Sequence, residues 1–517
     1  MQIVILLAFV ATLSTASMSM SAEPSWILAV LAGIYPAGAA VLSRLAGTLR
    51  VRAETQSLTA TMSAWRSVPG ALTPVWLVLG SVGLVELGYG VWVATELKAA
   101  GMDRWPLAAE IMLMTPFLLA VLLVWIEEYP AYLHMRRQLA PRQQCQAVAA
   151  KAAWTRREYI VYNLRHQLLF IMAPAGLILL ARDLLDLLVP ELLGAGPAAD
   201  WTIAGGMLLA AGGVFLIAPV LIVHIWRTKA MPPGAMRDEL EVICGRLRLR
   251  FRRLLVWQTG GMIANAGVMG LVARLRYVLL SDALLEQMES HHVQAVFAHE
   301  AGHIVSHHIL YSAMFAVSTA MLAASCGDWL WFWTHWPDEV VSAIVFTGLI
   351  ALWAIAFGYI SRRFERQSDV IAAWVMGEAR VEGVWPSRPA GGTPAESGAI
   401  EQPREGKMPS RRAGETPASQ TPASQTPASL PIPAGRITPD GAAVFAMALQ
   451  RVAELNGMSY NRRNWRHGSI AWRVQYILSL GSTEGNRSDI DRVVRRIKAI
   501  CWLLLAAAMA ATVVPSL

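Results

Sequence analysis

The residues best suited to chemistry in this chain lie in the stretch VFAHEAGHIVSHH, residues 296–308. His299 and His303 are four positions apart, so on a helix their imidazoles face the same side and can share one Zn²⁺ ion. Glu300 follows the first histidine, where it can take a proton from water and later hand it to a leaving amine. The spacing therefore predicts a zinc-dependent hydrolase with Glu300 as general base. A helix at the membrane edge that carries these residues without a metal is the alternative.

A third metal ligand has to come from elsewhere, because a catalytic zinc takes three protein ligands and keeps one position open. The stretch SRRFERQSD, residues 361–369, supplies Glu365 and, one helical turn later, Asp369. The apolar region 309–360 lies between the histidines and this stretch, and a hairpin of two spans returns the chain to the membrane face that it left. This topology favours Glu365 as the third ligand over a solvated glutamate among arginines.

Two further histidines follow the pair. His307 lies two turns beyond His299, roughly 12 Å along a helix axis, which is too far for both to bind one metal ion. His308 would point to the opposite side of the same helix. Both are therefore predicted to be polar residues at the membrane interface.

The composition is that of a membrane protein. Of the 517 residues, 55% are hydrophobic and only 15% are charged, which is too apolar for a typical soluble protein. A spanning helix needs roughly 20 apolar residues, and about eight or nine segments approach that length. They are residues 3–16, which form a first span or a signal peptide, 26–42, 75–97, 107–126, 168–181, 201–225, 309–325, 340–360 and 499–514.

The basic residues predict the orientation of these spans. Residues 127–165 and 227–276 are rich in Lys and Arg, whereas the connections 189–200 and 326–340 contain neither. Because basic loops stay in the cytoplasm, the histidine pair is predicted on the cytoplasmic side of the cell (inner) membrane. The net charge of +8 is then explained by this bias and by contact with anionic lipid. No signature of nucleic-acid binding accompanies it.

The order of segments predicts a division of the chain. The expected parts are an N-terminal transmembrane region of five or six spans (1–226), a metallopeptidase core that includes the span hairpin (227–384), a disordered insertion rich in Pro, Thr, Ser and Ala (385–439), the C-terminal part of the peptidase domain (440–496) and a C-terminal hydrophobic segment (497–517). The four cysteines are scattered without a CxxC pair, so no disulfide framework is expected.

Two short strands are predicted inside the core. Residues 246–250 alternate basic and apolar side chains, which is the period of a strand. The stretch RYVLLSDALLE continues as a second strand and then offers Ser281 or Asp282 as the N-cap of a helix. The first strand, extended to Trp257, could pair with an extended substrate. A basic hairpin lying on lipid headgroups is the slightly favoured alternative.

These elements resemble the membrane zinc endopeptidases that include HtpX and the type I CaaX prenyl proteases. AVFAHEAGH, a span hairpin and SRRFERQSDVIA follow one another as in that family. IANAGVMG resembles its Asn-Ala element, RYVLLSDALLE its strand and helix ahead of the catalytic helix, and RHGSIAWRV its late His-Pro-x-x-x-x-Arg element. The resemblance covers roughly residues 239–474 apart from the insertion. The chain departs from the family at Gly468, in place of the usual Pro, and at Ser368, where Ala is common.

The resemblance implies roles for individual residues. Glu365 is implied as the third zinc ligand and Asp369 as the residue that orients one imidazole from behind. Asn265, His467 and Arg473 would line the cleft and hold the substrate backbone or the developing oxyanion.

The sequence thus predicts a mainly α, polytopic membrane protein with a cytoplasmic-side zinc metallopeptidase domain that carries a small β-hairpin. The expected activity is endopeptidase cleavage of membrane-associated peptides or proteins, in quality control or processing, with one Zn²⁺ per chain. CaaX-type processing of lipidated substrates and a catalytically inactive zinc-binding scaffold are the alternatives. An intramembrane-cutting metalloprotease is disfavoured because the motif precedes the apolar run instead of lying inside it.

Overall fold

The computed structural model describes residues 5–6, 26–55, 60–143, 154–261, 263–381, 437–461, 464–482 and 489–513. The predicted Pro-rich insertion lies almost entirely outside these ranges, and so does the first apolar segment apart from Ile5 and Leu6. The described part is dominated by helices, which confirms the predicted mainly α, polytopic membrane fold.

Helices built from apolar residues make up the first part of the chain. They are α1 (Trp26–Thr55), α2 (Ala60–Leu84), α3 (Gly90–Ala99), α4 (Ala108–Gln143), α5 (Arg156–Asn163), α6 (Phe170–Leu193) and α7 (Pro197–Ile225). Large apolar side chains on α7 face outward, for example Leu208 and Leu209, which are 75% and 78% exposed. Such exposure would be costly in water and is expected of a helix that faces lipid.

Six helical stretches in the described residues are long and apolar enough to cross a membrane, or seven if a pair bent by 50° is one span. The six are Leu28–Leu49, Ala108–His134, Arg156–Leu193, Pro197–Ile225, His308–Thr334 and Val340–Glu378. The number is lower than the predicted eight or nine. Residues 499–514 account for part of the difference, because they belong to a helix whose first turns are charged and which does not qualify as a span.

A four-stranded mixed sheet replaces the predicted hairpin. Its strands are β1 (Thr228–Ala230), β2 (Arg253–Trp257), β3 (Ala266–Met269) and β4 (Tyr277–Ser281), in the spatial order β1-β2-β4-β3. β2 and β4 are parallel, and the outer pairs are antiparallel. Because β2 is paired on both sides, it cannot add a substrate strand. The two edge strands of the sheet are β1 and β3, and β3 is the one that pairs with β4.

Residues 246–250 do not form a strand, contrary to the prediction. Helix α8 (Ala235–Arg246) ends there in a left-handed turn, with Arg248 at a φ of +50°. Leu249 N–H donates to Cys244 O at 2.8 Å and Arg248 N–H donates to Gly245 O at 3.1 Å. This pair of bonds is the Schellman closure of a helix. The apparent alternation arises because Leu249 is buried beneath the turn while the arginines on either side are exposed.

The remaining helices carry the histidine motif, the apolar hairpin after it and the C-terminal part of the described chain. They are α9 (Asp282–Gln287), α10 (Ser290–Val305), α11 (His308–Thr334), α12 (Asp338–Leu352), α13 (Gly358–Val381), α14 (Pro439–Leu455), α15 (Ile470–Ser482) and α16 (Ile490–Val513). The predicted N-cap of α9 is confirmed, since the Ser281 hydroxyl accepts a hydrogen bond from Leu284 N–H at 3.1 Å.

Close packing of α10 against α13 positions the histidine motif. Val293, Phe297 and Ala301 on α10 are fully buried in the main apolar core. Gly302 faces α13 so closely that a Cβ there would lie 3.1 Å from Ser368 Cα. Only a glycine allows this approach without displacing the helix, and the approach brings the side chains of α13 next to the histidines.

The last described helix, α16, also supports α10. It packs against α11 and α13. Lys498 on α16 donates a hydrogen bond to Ser306 O at 2.7 Å, where the C-terminal end of α10 leaves unpaired carbonyl groups. The surroundings of α10 are therefore completed by residues far along the chain.

Candidate metal centre

The ring nitrogens of the two histidines on α10 face one another. His299 and His303 lie one turn apart, and their Nε2 atoms are 3.3 Å apart. A tetrahedral zinc with ligands at 2.0–2.1 Å would hold two nitrogens at about 3.3 Å from each other. The imidazole spacing predicted from the sequence is thus the spacing that a shared zinc ion requires.

The third candidate ligand, Glu365, comes from α13 after the membrane hairpin. Its carboxylate oxygens lie 3.5 Å from His299 Nε2 and 3.7 Å from His303 Nε2. One ligand atom from each of the three residues falls within 4.8 Å of the others. Two imidazoles and a carboxylate are the donor set of many catalytic zinc sites, so these residues fit a zinc ion.

A buried ion-pair network lies behind the ligands. Asp369 on α13 is completely buried, and its Oδ1 lies 2.9 Å from His299 Nδ1. Arg473 on α15 donates to Asp369 from Nε at 2.9 Å and from Nη2 at 2.5 Å. Its Nη1 lies 3.3 Å from Glu365 Oε2. The guanidinium therefore holds both carboxylates at once, in the planar geometry that suits arginine.

The protonation states at this centre follow from burial and from these contacts. Burial lowers the pKa of His303 to about 3, so this imidazole is neutral. Burial also opposes a charge on His299, but Asp369 and Glu365 outweigh it and raise the pKa of His299 to about 9. A metal ion binding at His299 Nε2 would therefore displace a proton. Arg473 stays charged, because Asp369 and Glu365 overcome its burial and raise its pKa.

Glu300 carries a pKa that suits a general base at neutral pH. Burial raises the pKa of its carboxyl group to about 7, although His299 partly offsets the shift. Its side chain is half-buried and therefore still accessible to water. A base whose pKa lies near the working pH transfers protons in both directions with little penalty.

The late motif residues Arg473 and His467 are both brought to the centre, and Asn265 is not in contact with it. His467 Nδ1 lies 2.7 Å from Glu365 Oε1, and its side chain is 45% exposed. Arg473 contacts the two carboxylates, as described above. Asn265 has an exposed side chain that makes no hydrogen bond within the described part of the chain, although its backbone pairs with Ser281.

His308 is not a membrane-edge residue, contrary to the prediction. His307 adopts a left-handed conformation with a φ of +58°, which ends α10 and starts α11 in a new direction. Extrapolation along one continuous helix therefore fails at His308. Its ring is 3% exposed, stacks on Phe364 at 4.1 Å and places Nδ1 2.9 Å from His303 Nδ1.

A chain of hydrogen bonds runs from His303 to the last helix. If His303 Nε2 faces the metal, its Nδ1 carries the proton and donates to His308 Nδ1. His308 Nε2 then donates to Gln367 Oε1 at 2.8 Å, and Gln367 Nε2 donates to Asp491 Oδ1 at 2.6 Å. Each donor in this series of hydrogen bonds has one acceptor, so the series fixes a single tautomer and ring orientation for His303.

Sequence reasoning did not identify His308, Gln367 and Asp491 as members of this series of hydrogen bonds. Gln367 and Asp491 are 124 positions apart, and no local pattern connects them. The only local signal was the presence of His308 near the motif, and it was interpreted on the assumption of an unbroken helix.

His308→Ala should weaken zinc binding by about 10- to 100-fold, because the second ligand would lose the acceptor that orients it. The measurement is competition between the purified protein and a chromophoric chelator. His307→Asn is the matched control, since Asn tolerates the left-handed conformation and His307 is exposed. Equal zinc affinity in the His308→Ala protein and the wild type would contradict this role.

The chain was compared with family models, curated proteins and solved structures. Residues 253–384 match the model of peptidase family M48. This match confirms the resemblance to a peptidase family over these residues. No similar sequence was found among curated proteins. The crystal structure of S. mikatae Ste24p aligns with a TM-score of 0.41 and 16% sequence identity, over 68% of this chain and 88% of that chain.

Proposed function

Because residues 253–384 carry the pattern of a metallopeptidase family, we propose that this chain is an integral-membrane, zinc-dependent endopeptidase. One Zn²⁺ per chain would be held by His299, His303 and Glu365. The observation that carries the proposal is the convergence of these three side chains to within 4.8 Å, with Glu300 directly beside them. The membrane helices of the same chain support action at the bilayer.

The zinc ion, when bound, would polarise the scissile carbonyl and supply Lewis-acid stabilisation to the developing negative charge. Glu300 accepts a proton from the attacking water on its carboxylate and then donates that proton to the amide nitrogen of the leaving group. A pKa near 7 allows the carboxyl group to perform both steps. The peptide C–N bond breaks, and water contributes its hydroxyl to the new carboxylate and its proton to the new amine.

Arg473 and His467 take different roles in this proposal. All the guanidinium contacts of Arg473 go to Asp369 and Glu365, so we assign it the positioning of these carboxylates. His467 is the more exposed of the two, and its imidazole can donate to an oxyanion at the open side of the centre. Asp369 orients His299 through Nδ1.

The substrate would bind along β3. This strand has a free edge in the described sheet and packs beside α10. Extended peptides commonly add to such an edge through main-chain hydrogen bonds. Asn265, the residue directly before β3, would then face the substrate backbone. The strand that could pair with a substrate is then β3 and not β2.

The biological setting is also part of the proposal. The basic loops support a cytoplasmic position for the catalytic centre in the cell membrane. The proposal keeps the division of the chain predicted from the sequence, which is a transmembrane region, a peptidase core, an insertion and a C-terminal part. Substrates would be membrane-associated peptides or proteins, cleaved in quality control or processing.

Removal of the metal should abolish cleavage and its return should restore it. The purified protein is expected to contain one zinc ion per chain by elemental analysis. Treatment with 1,10-phenanthroline should stop the hydrolysis of an unfolded membrane-protein substrate, and added Zn²⁺ should restore it. Full activity in protein free of metal would overturn the proposed function.

A further inference from the structure

A basic cavity lies between the membrane helices and the sheet and shares no residue with the metal centre. Its volume is about 430 Å³, which is within the range of small-molecule sites. Its walls come from the end of α7, from β1 and β2, and from Tyr277 on β4. Trp257 on β2 donates a hydrogen bond to His166 of the membrane region at 2.8 Å. The sheet is thus fixed to the membrane helices beside the cavity.

The charge of the cavity is strongly positive. Arg165, Arg227, Arg252 and Arg253 line it, and no Asp or Glu does. None of the four arginines is ion-paired to a carboxylate in the part of the chain that the structure describes. The neighbouring carboxylate of Glu158 accepts hydrogen bonds from Thr155 at 2.8 and 2.9 Å and interacts electrostatically with Arg227 without forming an ion pair.

Arg227, Arg252 and Arg253 are exposed to solvent and Arg165 is half-buried, so water and salt screen much of their mutual repulsion. An anion held between them would be attracted by all four guanidinium groups. The C-terminal end of α7 contributes only about half a negative charge, which does not balance them.

Two further side chains favour an oxygen-bearing ligand. The indole N–H of Trp226 is buried and has no hydrogen-bond acceptor among the described residues, and Trp226 lines the cavity. A buried donor of this kind is costly unless a ligand supplies an acceptor. The Arg252 guanidinium lies over the ring of Tyr277, 5.7 Å from its centroid, so the aromatic wall positions one of the charges.

The position of the cavity indicates where its anion comes from. It opens at the end of α7, directly after the outward-facing apolar stretch of that helix. Trp226 and Trp257 stack there at 4.5 Å, and tryptophans are enriched at the level of lipid headgroups. Val220 and Val223 give the cavity an apolar side along α7, which suits the start of an acyl chain.

We propose that this cavity binds the headgroup of an anionic phospholipid. The phosphodiester is held by Arg227, Arg252 and Arg253, with Trp226 as a neutral donor. The acyl chains leave along α7. A lipid bound in this way connects the membrane helices to the sheet, and it fixes the height of β3 and α10 above the bilayer.

The test is equilibrium dialysis of the full-length protein, in neutral detergent, with soluble short-chain lipids. Dihexanoyl phosphatidylglycerol is expected to bind at least ten-fold more tightly than dihexanoyl phosphatidylcholine. Each arginine near a membrane surface contributes a factor of about five to anionic-lipid binding. Arg252→Gln with Arg253→Gln should therefore weaken phosphatidylglycerol binding roughly 25-fold. The pair Arg252→Lys with Arg253→Lys should stay within a few-fold of the wild type, which would show that these two positions tolerate substitution.

The matched control is Arg495→Gln with Arg496→Gln, which removes the same charge from exposed positions of α16 and should leave binding unchanged. Equal weakening by both Gln pairs would overturn the proposal, because the effect would then be one of net charge. Equal binding of the two lipids would also overturn it. A third arm uses inorganic phosphate: displacement of phosphatidylglycerol by an equal concentration of phosphate would assign the cavity to free phosphate instead of lipid.

Discussion

Glu300→Gln should lower the rate of substrate cleavage by about 10²- to 10⁴-fold while the protein keeps its zinc. Glutamine has nearly the same size and shape as glutamate but cannot accept a proton from water. Glu300 is not among the three converging ligands, so the metal should remain. The high pKa of the carboxyl group, about 7, also means that the neutral side chain is already compatible with this environment. The loss should therefore be one of chemistry and not of folding.

Three measurements on one preparation test this expectation. They are the zinc content, the thermal unfolding midpoint and the initial rate with an unfolded membrane-protein substrate. Glu289→Gln is the matched control, since it makes the same change at a largely exposed position at the start of the same helix. Wild-type activity in the Glu300→Gln protein, with one zinc bound, would contradict the assignment of the general base. Loss of zinc in this variant would instead mean that Glu300 is a ligand.

Asp369→Asn should be the most destabilising of the single changes considered. Asp369 is fully buried and accepts two hydrogen bonds from Arg473. Asn keeps the shape but removes the charge, which leaves the buried guanidinium with Glu365 alone. Removing one partner of a buried ion pair typically costs about 3–5 kcal/mol. Zinc affinity should also fall about 10- to 100-fold, because His299 loses the carboxylate that orients it.

A double variant separates charge from shape. Arg473→Met combined with Asp369→Asn removes both charges of this ion pair and leaves Glu365 as the remaining buried charge of the network, so only part of the lost stability should return. Activity should not return, because His299 and Glu365 remain without their partners. Unfolding midpoints in a neutral detergent and zinc titrations measure the two effects independently. The role of Asp369 would be contradicted if the single variant unfolded at the same temperature as the wild type and kept its zinc affinity.

The inner part of the site was predictable because it depends on local geometry. His299 and His303 lie one helical turn apart whatever the fold around them, and a hairpin of two spans must return Glu365 to the same side. The mainly helical membrane fold was predictable for a similar reason, since apolar length alone determines which segments can cross a bilayer.

The outer part depends on backbone turns and on contacts between distant segments. The left-handed residue His307 redirects the chain, so His308 faces inward and not toward the membrane edge. A similar turn at Arg248 made a helix end look like a strand. The ion pair between Arg473 and Asp369 spans 104 positions, and the resemblance to a family placed Arg473 in the cleft without indicating its partner. Likewise, nothing in the sequence of β2 or of β4 predicts that these two strands pair in parallel.

The hydrogen-bond chain from His303 to Asp491 has a consequence for the order of events during biosynthesis. The ribosome makes the ligands at 299 and 303 first, but Gln367 finds its acceptor only when residue 491 has emerged. At about 5–20 residues per second, that interval lasts roughly 10 to 40 s. During this time the nascent chain contains His299 and His303 but lacks Asp491. The carboxylate of Asp491 is the last acceptor in the series of hydrogen bonds that orients His303. The hydrogen-bond chain that orients His303 is therefore complete only after residue 491 has been synthesised.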